Sequence, residues 1–160
     1  SIYESAFSLK NSDLVLDNET LFFSNNKNEI FSIDSNIGNF NWKNNINSNL
    51  RPTIIGNLLL TVSSEGYLFF VDKNSGNILK VNDVFGIFKK KKRSKIYPTG
   101  FVIGLNKIYL STNIGRLLII DIISGEIIKS MKIDNEKISR PFLINNNFLL
   151  IKDNAIIKLK

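Results

Sequence analysis

The sequence contains neither cysteine nor histidine. It therefore holds no disulfide, no thiol nucleophile, no imidazole for acid–base chemistry and no ordinary zinc site. No apolar run approaches the roughly 18 residues of a membrane-spanning helix. No charged segment followed by an apolar one opens the sequence, so no signal peptide is expected within it. No stretch carries a 3.6-residue apolar period with caps at both ends, and essentially no helix is expected.

What is present is 160 residues, 43% hydrophobic and 22% charged, enough for one domain with a sizeable core. Of the net charge of +7, six positives come from Lys89, Lys90, Lys91, Lys92, Arg93 and Lys95. The rest is nearly neutral, so the basic character belongs to one loop and not to a face.

A phrase recurs. "GYLFFVDKNSGNILK" (66–80) returns as "GRLLIIDIISGEIIK" (115–129) and, altered, as "NEIFSIDSNIGNFNWK" (28–43). Each copy holds D-x-x-x-G: Asp34 with Gly38, Asp72 with Gly76, Asp121 with Gly125. Six residues before each Asp stands a turn former, Asn28, Gly66 or Gly115, able to take the positive φ of a tight hairpin. Two further apolar runs precede each copy, such as "DLVLD" and "TLFFS", or "PTIIG" and "LLLTVS". Every unit thus reads as four short strands joined by tight turns. About 40 residues and four strands per repeat is the pattern of a β-propeller blade. The fold class is all-β, a propeller of four-stranded antiparallel blades with about three and a half present. The expected bounds are residues 10–47, 50–85, 98–134 and 139–160, with a basic loop at 86–97 between the second and third. The last unit reads as ending after its third strand, and "SIYESAFSL" (1–9) reads as one strand ahead of the first unit. The chain is therefore expected to be the C-terminal part of a larger propeller.

The phrase resembles the repeat of the pyrroloquinoline-quinone-like propellers, whose pattern runs through D-x-x-T-G to a Trp four residues on. Asp34, Gly38 and Trp42 fit, while Lys80 and Lys129 take the Trp position in the other copies. Within that superfamily the chain is similar to the outer-membrane protein assembly lipoprotein family, the propeller subunit of the β-barrel assembly machinery. Trp42 with "NLRPTIIGN" (49–57), "LSTNIGRLLIIDIISGEII" (110–128) and "ISRPFLINNNFLLIKDNAIIKLK" (138–160) carry the likeness. The resemblance implies a periplasmic, outer-membrane-associated scaffold that binds the periplasmic domains of the barrel-insertion protein; loop-to-domain docking and sheet-edge addition are the expected modes of binding. It also assigns Leu50 and Arg51 to partner binding. The family's longer form has small residues between the Arg and the Pro, which this chain lacks.

Other chemistries fit the residues less well. "DIISG" offers no side-chain oxygen at its third position and no copy has a Glu at the twelfth, so the D-x-x-x-G phrase reads as an Asx-type turn and not a calcium loop. Trp42 reads as a filler between adjacent blades. The carboxylates recur at equivalent turns and select no acid–base pair. The lysine run reads as a solvated loop; anionic lipid is its best functional partner. Nucleic acid is not expected, because no aromatic residues interleave the lysines. The reading is a non-enzymatic protein-binding scaffold with no cofactor, prone to self-association if its ring is incomplete. The alternatives are a fragment of a quinoprotein dehydrogenase, or a generic interaction propeller.

Overall fold

The computed structural model of the chain describes residues 11–145, 147–152 and 154–159. The strand expected over 1–9 lies outside them. In chain order the first sheet is β1 (Val15–Asp17), β2 (Thr20–Ser24), β3 (Ile30–Asp34) and β4 (Phe40–Asn44). The second is β5 (Thr53–Ile55), β6 (Leu58–Val62), β7 (Tyr67–Asp72) and β8 (Ile78–Asp83). The third is β9 (Pro98–Gly104), β10 (Lys107–Thr112), β11 (Arg116–Asp121) and β12 (Ile127–Lys132). The fourth has three strands, β13 (Phe142–Ile144), β14 (Asn147–Lys152) and β15 (Ala155–Leu159). In every sheet the strands lie in sequence order, as a meander. This is the all-β propeller architecture, with about three and a half blades.

Essentially no helix is expected from the sequence, and among the described residues the helical structure is one turn, α1 (Lys90–Arg93), which sits in the basic loop and buries none of its residues. Only four residues long, it leaves no room for the amphipathic period by which helices are recognised.

Contacts divide the chain into two compact units, residues up to Ser63 with Phe69–Lys80, and Ser64–Leu68 with residues from Val81 onward. In the first unit Phe22, Ile30, Ile46, Leu59 and Val71 form a buried cluster, with Val15, Trp42, Ile54 and Phe69 packed against it. In the second, Ile108, Leu110, Leu118 and Ile120 are wholly buried. There Tyr109 and Phe148 bring their rings to 4.9 Å. Middle strands such as β6 ("LLLTV") bury residues on both faces, whereas β4, β8 and β12 mix apolar with polar residues and stay largely exposed. A strand covered on both faces needs a continuous apolar run; one with a wet face does not.

The three D-x-x-x-G phrases build one turn three times. Oδ1 of each Asp accepts two backbone N–H bonds: Asp34 from Asn36 and Ile37, Asp72 from Asn74 and Ser75, Asp121 from Ile123 and Ser124. Each Gly donates its N–H to the carbonyl of its Asp at 2.8–2.9 Å, with φ of +74°, +76° and +70° for Gly38, Gly76 and Gly125. Asp72 receives a further bond from the Ser75 hydroxyl at 2.9 Å. Bonds from the Ser75 backbone and hydroxyl, joined by the Asn74 N–H, hold its carboxyl below the usual range.

The turns joining the first two strands of each sheet also demand positive φ. Asn18, Gly56 and Asn145 meet it with residues that tolerate it, at +52°, +56° and +49°. The third sheet uses Leu105 there, at φ +49° and 87% exposed. A γ-branched apolar residue in this conformation is strained and gains no burial. Leu105→Asn is therefore expected to stabilise the fold by about 1 kcal/mol. A raised urea midpoint at unchanged slope would show it, and a lowered midpoint would contradict it.

Candidate partner-binding site

Leu50 and Arg51 lie on the segment from β4 to β5. Both ends of that segment are fixed. Ile46, Ser48 and Pro52 are buried, and the Ser48 hydroxyl bonds to Thr61 Oγ1 and donates to the Val62 carbonyl, both at 2.8 Å. The Leu50 N–H closes back on Ser48 Oγ at 3.2 Å. Leu50 is left half-buried and Arg51 exposed. An apolar and a cationic side chain are thus offered side by side on a tethered backbone, a pairing suited to a protein surface with an apolar pocket beside carbonyls or carboxylates.

The basic loop is more ordered than its composition suggests. Phe85 and Ile96 are buried at its two ends, and Phe85 stacks edge-on against Phe88 at 5.4 Å. On its exit side the Asn113 side chain accepts from the Tyr97 N–H at 2.8 Å and donates to the Lys95 carbonyl at 2.9 Å. Arg93 does not share the environment of the lysines. Its guanidinium makes a two-pronged pair with Asp83, at 2.7 and 2.6 Å, and lies 5.3 Å from the Tyr67 ring centre. Hydrogen bonding to the Asp83 carboxylate raises the Arg93 pKa still further. Lys89, Lys90, Lys91, Lys92 and Lys95 remain exposed.

Trp42, on β4, donates its indole N–H to the Lys73 carbonyl at 2.8 Å and lies against Gly76, with Phe22 at 6.0 Å between ring centres. In the position equivalent to Trp42, Lys80 folds over its own sheet, its Nζ 5.7 Å from the Phe70 ring centre. Two brackets escaped the sequence reading. Asn44 donates its amide to the Gly76 carbonyl at 2.5 Å, and Asn82 donates to the Ser124 carbonyl at 3.2 Å. Both follow a repeat Asp by ten residues, so they occupy one column of the repeat. Their signal was lost in a chain where asparagine is everywhere.

A polar pocket of about 330 Å³ opens in the first unit beside the Asp17–Lys73 ion pair (2.5 Å), with Asn41 and Asn57 on its walls. It includes none of the partner-binding residues expected from the sequence. Among the described residues no three acidic side chains gather as a metal cluster would require. No helix among them is long and apolar enough to cross a membrane.

A family model described as outer membrane protein assembly factor BamB matches residues 3–82, half of the chain. No curated protein matches the sequence. Among solved structures, BamB from Moraxella catarrhalis is similar with a TM-score of 0.74 at 15% identity, over 92% of this chain and 41% of that one. Saccharomyces cerevisiae Sqt1 gives a TM-score of 0.75 at 10% identity, over 92% and 45%. The computationally designed Ika4 protein gives 0.71 at 11% identity, over 93% and 89%. Such identities speak for the fold alone, and the chain spans less than half the length of these two natural propellers. The matched residues, and the repeated turns and four-stranded sheets that carry them, make the chain a member of the outer membrane protein assembly factor BamB family.

Proposed function

We propose that the chain is part of a non-enzymatic periplasmic scaffold, lipid-anchored at the outer membrane in its full-length form. In this reading it binds the periplasmic domains of the barrel-insertion protein and so assists assembly of outer-membrane β-barrels. The observation that carries the reading is the family match over residues 3–82, which includes the tethered Leu50–Arg51 segment. Leu50 enters an apolar pocket of the partner, and Arg51 makes charge-assisted hydrogen bonds to its carbonyls or carboxylates. Because Ser48 and Pro52 already fix the segment, docking orders little backbone, which lowers the entropic cost of association. Calorimetric titration of the chain into the insertion protein's periplasmic domains tests this. Arg51→Ala and Leu50→Ala are each expected to weaken binding by about 1 kcal/mol or more. Binding that ignores both substitutions would move the interface elsewhere. No binding by the folded chain would remove the assembly role.

A further inference from the structure

The basic loop is not absorbed by that reading. From Val84 to Ile120 the sequence has no acidic residue, and Asp83, just before that stretch, is taken up by Arg93, so the lysines have no acidic neighbour along it. Lys89, Lys90, Lys91 and Lys92 stand in succession, all exposed, followed by exposed Lys95. Two apolar side chains flank them in the open, Ile87 at 51% and Tyr97 at 47% exposure. This is not the composition of a loop that merely stays wet. Phe85 is buried and Phe88 half-buried against it, yet Ile87 between them is exposed.

We propose that the segment 84–97 is a pre-shaped docking element for an anionic lipid surface. Its shape is set from within. Buried Phe85 and Ile96 pin the two ends, and the Val84 N–H bonds to the Gly66 carbonyl at 3.0 Å. The forked pair of Arg93 with Asp83 clamps α1 from below. The choice of cations favours lipid over a carboxylate-bearing protein. Arginine's planar fork is the group that reads carboxylates in pairs, and the one arginine of the loop is committed to Asp83. What faces outward are compact ammonium charges, suited to a diffuse layer of phosphate headgroups. Ile87 and Tyr97 beside them supply the apolar and aromatic contacts that settle into the interface.

Flotation of the chain with vesicles tests the proposal. Vesicles of equal parts phosphatidylglycerol and phosphatidylcholine are expected to carry it, and vesicles of phosphatidylcholine alone are not. Raised salt is expected to release it, because exposed charges are screened. Changing Lys89, Lys90, Lys91 and Lys92 together to Gln is expected to weaken binding by about fivefold per lysine, several hundredfold in all. These side chains are exposed, so the variant should keep its fold, which its circular dichroism would verify. Ile87→Ser with Tyr97→Ser is expected to weaken binding severalfold at unchanged charge. The proposal is overturned if the four-lysine variant floats as well as the parent. It is equally overturned if the folded parent ignores the mixed vesicles and is captured by polyglutamate, which would assign the loop to an acidic protein.

Discussion

Gly76→Ala is expected to destabilise the fold by about 3 kcal/mol or more, whereas Gly38→Ala is expected to cost about 1–2 kcal/mol. The two glycines occupy the same place in the repeat and have nearly the same backbone, φ +76° and +74°. Alanine therefore meets the same left-handed strain in both. What differs is the space around them. An added Cβ at Gly38 has no atom within 4 Å, but at Gly76 it would lie 2.6 Å from Cδ2 and 2.7 Å from Cγ of Trp42. The indole cannot simply swing aside, because its N–H is bonded to the Lys73 carbonyl and its ring is neighboured by that of Phe22, 6.0 Å away between centres. Overpacking of a held ring adds about 1–3 kcal/mol to the backbone strain. Trp42 is the sole tryptophan, so its fluorescence reports unfolding of both variants in urea. Equal losses of stability would mean that the contact between Trp42 and Gly76 is not made in solution.

Trp42→Ala is expected to cost about 3–5 kcal/mol, the loss of a large side chain wedged into a core. The effect has two parts. One is the void left beside Phe22 and Gly76; the other is a Lys73 carbonyl that loses its donor. Trp42→Phe separates them. It keeps most of the apolar volume and removes the N–H, with an expected cost of about 1–2 kcal/mol. Urea unfolding followed by circular dichroism measures both, since the fluorophore is gone. A loss below about 1.5 kcal/mol for Trp42→Ala would place the indole outside the cooperative core.

The fold class was legible because the repeat spells its own strands. Four apolar runs per unit, punctuated by Asn, Gly and Asp, leave few ways to bury the runs other than as a meander. The loop was harder to read. "KKKKRSK" presents six cations as one run, yet Arg93 belongs with Asp83, ten residues earlier, and with Tyr67. Nothing in the local sequence separates it from the lysines, since the clamp forms only when β8 and the loop are both in place. Asn44 and Asn82 were hidden for a related reason: an amide that bridges to a distant turn looks, in the sequence, like any polar residue of an outer strand.

By itself the sequence determined the strands, their turns and the propeller class, because these follow from apolar spacing and from which residues accept positive φ. Tertiary structure alone decided which of three equivalent glycines is covered, by Trp42 at Gly76 and by Asn82 at Gly125, and which is open at Gly38. It also decided that Arg93 is a clamp while its neighbouring lysines face outward. The physical reason is the same in each case. Local periodicity fixes a residue's backbone, but its contacts come from segments tens of residues away, and those meet only when the sheets pack.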